Sequence, residues 1–329
     1  MSALPLVPAP ARRLRHWWSY ETMLLAVLLL LVAGLTFTIP HRFWAPANVS
    51  TLFLDTAITA VPAIGMTMVI LTGGIDVSTG AVLGLAATVV GLVYQAVPDW
   101  WLAAAAGLLV AGVAGAINGL LIVGARIPPI IVTLGFLSIW RATIYALLGG
   151  NWITDIPPQF TAFFVTPRLA GIPLAFGFAL LAVGLAALFL ARRPWGRYLY
   201  AVGNHPEAAR VAGLPVGAVT AMAYTVLGLL AGVAALMRLG ESPLVQATTG
   251  SGFELTVIAA VVIGGTDILG GRGSVWGSLL GAFLVELSSD VVVLSHIQAF
   301  WKGVVLGVLI LAAVWAGSAI RRRVDRGDS

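Results

Sequence analysis

The sequence predicts an all-α protein, a polytopic bundle of about ten membrane-crossing helices. Three observations carry that expectation. Of 329 residues, 60% are hydrophobic and 9% charged, against about 25% charged in an ordinary soluble domain. The apolar residues gather in runs, many of them near the roughly 20 residues that a hydrocarbon core requires. The basic residues stand at the ends of those runs, so a pI near 10 reflects membrane orientation and does not point to nucleic acid.

In chain order, residues 1–20 hold Arg12, Arg13 and Arg15 ahead of an apolar run at 22–39. That run is too long for a signal-peptide core and has no convincing small-residue cleavage site, so it reads as a retained first span. The second span is expected at 53–72, with Asp55 near its outer end. A glycine-rich break, Gly73-Gly74-Ile75-Asp76-Val77-Ser78-Thr79-Gly80, leads into a third span reaching Tyr94. Trp100 and Trp101 mark an interface, and a fourth span follows at 101–123. Pro128 and Pro129 open a fifth at 130–148, with Arg141 inside it. A longer loop then leads to a sixth span at 171–190.

Residues 192–216 form the longest interior stretch that could not lie in a bilayer, with five charges and three prolines. Within it, 206–212 reads as one short helix, started by Pro206 and stopped by Gly213. Glu207 near its start and Arg210 near its end suit the helix dipole. A rigid charged helix between apolar spans reads either as a docking surface or as an ordinary loop whose arginines fix topology.

A seventh span follows at 217–237. The apolar run at 255–263 is too short to cross alone and reads as part of a discontinuous helix. It runs into Gly264-Gly265-Thr266-Asp267-Ile268-Leu269-Gly270-Gly271. Spans nine and ten are expected at 275–292 and 301–316. Placing the N-terminus in the cytoplasm puts thirteen arginines on that side and leaves Arg42, Arg168, Arg238 and Lys302 outside. The positive-inside rule therefore expects both termini and the 192–216 loop in the cytoplasm. The domain reading is a cytoplasmic segment 1–20, one transmembrane domain 21–318 and a cytoplasmic tail 319–329.

The two breaks read as an internal repeat, Gly73-Gly74-x-Asp76 matching Gly264-Gly265-x-Asp267 and Gly80 matching Gly271, related in parallel. Such interruptions let backbone groups face a cavity instead of lipid. In a chain with 38 glycines, coincidence is the competing account. Arg141, Glu286 and Asp290 lie inside spans, so each is expected to face protein or water, as part of a solute path or as internal packing. Asp76 and Asp267 suit helix-end capping. Gly80–Gly84 and Gly277–Gly281 suggest close packing.

Much chemistry is excluded. With no cysteine there is no disulfide, thiolate site or cysteine nucleophile. The four histidines are scattered without metal-ligand spacing, so no metal or cofactor is expected. Lys302 is the sole lysine and no GxxxxGK[ST] precedes it, so a phosphate-binding loop is absent. If ATP drives transport through this bundle, another chain supplies the engine.

Four stretches, LTGGIDVSTGAVLGLA (71–86), NGLLIVGARIPPIIVTLGF (118–136), YAVGNHPEAARVAGL (200–214) and GFELTVIAAVVIGGTDILGGRGSVWGSLLGAF (252–283), stand in a telling order. With them the chain resembles the permease subunits of bacterial ABC importers for monosaccharides, the group typified by the ribose importer permease. The segments at 150–153 and 246–254, and Trp301, look nearest the autoinducer-2 and rhamnose subgroup. Asp267 departs from the serine usual there. The resemblance implies a bacterial inner-membrane subunit working by alternating access, coupled through Gly203, Asn204, Pro206, Glu207, Ala208, Ala209, Arg210 and Gly213 to a separate ABC ATPase. It also implies a periplasmic or lipid-anchored solute-binding protein and a second permease, identical or related. For a sugar-like solute, Asn118, Thr133, Ser138, Trp140, Thr143 and Tyr145 are chemically suitable lining residues. The competing reading is a proton-coupled secondary transporter using Asp76, Asp267 or Glu286. A membrane-embedded enzyme is disfavoured because no catalytic constellation is present.

Overall fold

The computed structural model describes residues 11–166, 168–169, 171–298 and 300–312, with side chains from residue 21 onward. The expected cytoplasmic tail and the last arginines lie outside the described residues. Among the described residues, eight helices are long and apolar enough to cross a membrane: α1 (Ala11–Thr38, apolar from Glu21), α3 (Pro46–Leu71), α4 (Thr79–Ala96), α5 (Trp100–Gly124), α6 (Pro129–Leu148), α8 (Leu174–Arg192), α11 (Val216–Glu241) and α13 (Val275–Leu294). The shorter helices are α2 (Pro40–Phe43), α7 (Pro158–Phe160), α9 (Pro194–Asn204), α10 (Pro206–Val211) and α12 (Phe253–Ile263). A last apolar helix, α14, is described over Trp301–Ala312. The protein is a multi-pass helical membrane protein. At 11 residues α12 spans about 17 Å, half a bilayer core, as its length in the sequence requires.

Proline and glycine punctuate the chain. Pro46, Pro129, Pro194 and Pro206 occupy helix starts, where a missing N–H costs nothing. The second span begins at Pro46, seven residues before the position expected from hydropathy. The sixth begins at Leu174, because Arg168–Leu169 (β1) and Ile172–Pro173 (β2) fold into a small hairpin ahead of it. In the loop before that hairpin, α7 runs into a π-helical turn at Thr161–Val165.

The core is built around α3, almost wholly buried and packed against α11, α13, α8 and α12. Helices α5 and α11 cross at Gly115 and Gly228, where a Cβ on either would strike the other's backbone. Small residues of this kind let helix backbones approach where lipid offers no hydrophobic drive. Helices α12 and α13 meet likewise, Gly277 on Gly264 and Gly281 on Ala260. Gly80 and Gly84 also mark close packing, but against segment 249–254. Just ahead of that segment Val245 pairs with Ile153 by two bonds of 2.9 and 3.0 Å, and the segment leads into α12.

Candidate functional site

The 192–216 loop is nearly continuous helix. The sequence reading finds α10 within it and misses α9. Gly196, Leu199 and Val202 are buried on one side of α9, and Trp195 and Arg197 are exposed on the other. Leu199 and Val202, three residues apart between arginine-bearing flanks, were the available signal. In α10, Arg210 meets Glu207 at 2.7 Å, both well exposed. Gly213 adopts φ 79° and closes the helix, its N–H and that of Leu214 bonding the carbonyls of Arg210 and Ala209. Ala208 and Ala212 are exposed and Val211 stands 89% exposed, whereas Ala209 is only 5% exposed and packs inward. The outward face is therefore Ala208, Val211 and Ala212, edged by the Glu207–Arg210 pair.

The two helix breaks meet one another and α9. Each preceding helix ends in the same turn: Gly73 and Gly74 bond back to Ile70 and Val69, and Gly265 and Thr266 bond back to Val262 and Val261. In this pairing Gly73 matches Gly265, one residue off the sequence register that aligns it with Gly264. Both aspartates cap the turn two residues on, Asp76 accepting from Ser78 N at 2.7 Å and Asp267 from Leu269 N at 3.0 Å. The loops then diverge, since α4 starts at Thr79 while 267–273 makes a longer excursion before α13. Gly270 packs on Gly73 and on the Leu71 carbonyl, and Gly271 N donates to that carbonyl at 3.0 Å. Gly203 lies so close to Leu71 O and Gly271 N that a Cβ there would collide with both. Asn204 Nδ2 donates to Gly271 O at 3.1 Å and to Tyr200 O at 2.7 Å, and Tyr200 Oη donates to Gly273 O at 3.0 Å. Burial pushes the Tyr200 phenol up. Gly203 and Asn204 thus face the breaks, and Pro206, Glu207, Ala208 and Arg210 face out.

A family model described as the branched-chain amino acid transport system / permease component matches residues 48–314. The chain belongs to that permease-component family. It is 35% identical over 306 residues to the autoinducer 2 import system permease protein LsrC of Yersinia enterocolitica, covering 93% of this chain and 84% of that protein. The LsrC protein of Yersinia pseudotuberculosis is 34% identical over 307 residues, covering 93% and 86%. That of Klebsiella pneumoniae is 35% identical over 281 residues, covering 85% and 81%. No solved structure matches.

Within this permease component the six suggested lining residues divide into two groups. Asn118 and Thr133 are buried against the first break. Asn118 Nδ2 donates to Asp76 Oδ2 at 3.2 Å and to Ser78 Oγ at 2.8 Å, and Thr133 Oγ1 donates to Ile75 O at 3.4 Å. Asp76 lies between the spans; burial pushes its carboxyl above the ordinary carboxylate range, and the bonds from Ser78 and Asn118 oppose that shift. These residues hold the break in shape. Ser138 and Tyr145 lie on the open side of α6 with Thr143 partly open beside them, and Trp140 stacks on Phe136 with ring centroids 5.1 Å apart. Together α1 and α6 are the least covered of the long spans.

The ionisable residues inside spans have internal partners. Arg141 Nη1 donates to Thr249 O at 2.6 Å, Glu286 accepts from Thr59 at 2.6 Å, and Asp290 accepts from Asn48 at 2.9 Å. Arg238 joins Asp55 at 3.4 Å and pairs with Glu241, a link between α3 and α11 that the sequence reading missed. Asp76, Asp267 and Glu286 sit in three separate hydrogen-bonded settings.

Proposed function

We propose that this chain is the membrane-spanning subunit of an ATP-driven ABC importer in a bacterial inner membrane. It moves a small sugar-like solute by alternating access, beside a second permease. A separate ATPase subunit docks at α10 from the cytoplasm, and a periplasmic or lipid-anchored binding protein delivers the solute to the outer loops. The related permeases named for autoinducer 2 import favour a solute of that class. The observation that carries the reading is α10 itself: a six-residue helix, fixed at both ends, turning a valine outward between small residues and a charged pair. An apolar side chain so exposed at a loop tip, ringed by groups able to make charge-assisted hydrogen bonds, has the make-up of a compact docking contact.

The test is assembly. Val211→Asp and Ala208→Trp alter only outward side chains of α10, so membrane insertion should be unchanged. Both should abolish co-purification with the ATPase subunit and solute uptake in proteoliposomes. Normal co-purification in both variants would refute docking at α10.

A further inference from the structure

We propose that Tyr200 and Asn204 are positioning residues that lock α9 onto both helix breaks, so that force on α10 moves the end of α3 and the loop 264–273 as one body. The inference rests on the docking reading and adds the route by which a push is passed on. Helix α9 ends at Asn204 and α10 begins at Pro206, leaving His205 as the single residue between them. Displacement of α10 is therefore delivered to the last turn of α9 with little slack.

That last turn presents Tyr200, Gly203 and Asn204 on one face, at the i, i+3 and i+4 spacing of a helix. The hydrogen bonds that Tyr200 and Asn204 make to the breaks, and the close approach of Gly203, are all to backbone. Tyr200 Oη donates to the Gly273 carbonyl and Asn204 Nδ2 to the Gly271 carbonyl. Gly203 lies flat against the Leu71 carbonyl, which itself accepts from Gly271 N at 3.0 Å. On the side of the breaks the acceptors are fixed backbone carbonyls, and the Gly203 contact is backbone on both sides, so that contact cannot be relieved by a side-chain rotamer change. The end of α3 and the 264–273 loop are already joined by the Gly271–Leu71 bond, so α9 grips a joined pair. From there the chain leads directly into α4 through the Asp76 turn and into α13 through Ser274, which accepts from Gly277 N at 3.4 Å. Four membrane helices, α3, α4, α12 and α13, thus end at a platform that α9 holds.

The two donors can be removed without changing shape. Tyr200→Phe deletes one hydroxyl, and Asn204→Asp replaces a donor by an acceptor facing the Gly271 carbonyl. Each is assembled with the ATPase subunit and the second permease in proteoliposomes, and solute uptake and ATP hydrolysis are measured together. The expected result is full co-purification with ATP hydrolysis retained, and a fall in solute moved per ATP of about tenfold for Asn204→Asp, the scale of one hydrogen bond. Tyr200→Phe should show a smaller fall in the same ratio. An unchanged ratio in both variants overturns the proposal while leaving docking at α10 intact. Loss of co-purification also overturns it, because the residues would then belong to the docking contact. Val211→Asp, run in parallel, reports on docking independently.

Discussion

Gly203→Ala is the perturbation with the clearest physical consequence. A Cβ at this position would overlap the Leu71 carbonyl oxygen and crowd Gly271 N, both of them backbone atoms. Neither neighbour is the flexible end of a side chain, so α9 itself must lift. Forcing a methyl into such a contact costs about 1–3 kcal/mol. Lifting α9 also stretches the bonds from Tyr200 to Gly273 and from Asn204 to Gly271, worth about 1 kcal/mol each. Against this, alanine favours helix over glycine by up to about 1 kcal/mol. The balance is a loss of about 2–4 kcal/mol. Reversible unfolding in mixed micelles measures it, with Gly184→Ala in α8 as control, since a Cβ there has nothing within 4 Å. The control should be neutral or slightly stabilising. Equal stability of the two variants would refute the close approach of α9 to the breaks.

Ala209→Trp, unlike Ala208→Trp, should destabilise the loop from within, because Ala209 is buried; protease sensitivity of the 192–216 segment should rise even with no ATPase present. His205→Cys in this cysteine-free chain should be labelled by an impermeant maleimide in inverted vesicles and protected in intact cells, and labelling in intact cells would overturn the cytoplasmic placement of the loop. The rigorously purified chain should hydrolyse no ATP, since its single lysine follows no phosphate-binding loop; activity persisting through purification would contradict this.

The helical architecture was legible because membrane spans announce themselves through hydropathy, a signal each segment carries alone. The short α12 was legible for the same reason, its apolar run being only half the length a crossing needs. Errors fell where tertiary context decides. Helix α3 extends to Pro46 through Asn48, Ser50 and Thr51, polar residues that a hydropathy window discounts; Ser50 is buried and Asn48 bonds Asp290. Helix α9 was hidden by Pro194 and Arg197 and by the arginines just before it, since its stability comes from burying Leu199 and Val202 on neighbouring elements, which local pattern does not show. The site was legible as a segment and illegible as a surface. Pro206 and Gly213 mark the ends of α10, but local pattern does not say which residues face out: Ala209 is buried while Ala208, Val211 and Ala212 are exposed. Asn118 and Thr133 looked suited to a solute, and the structure shows both buried and bonded to the first break.

Why glycine recurs where α9 meets the breaks follows from the same geometry. Leu71 O, Gly73, Gly203, Gly270 and Gly271 converge so closely that a β-carbon at Gly203 or Gly270 would fall on backbone and one at Gly271 on Asn204. Gly73, Gly270 and Gly271 also have φ of 83°, 91° and 72°, which a side chain would strain. Space constrains Gly203, dihedral constrains Gly73, and both act together on Gly270 and Gly271. A repeated Gly-Gly alone is weak evidence for shared ancestry of the two breaks. Their similarity has a sufficient mechanical reason, because two helices that must stop at one junction, and there admit a third, have few ways to do so. The one-residue offset between the sequence register and the turn register fits that account: each break ends its helix by the same hydrogen bonds, and each then follows its own path into the next span.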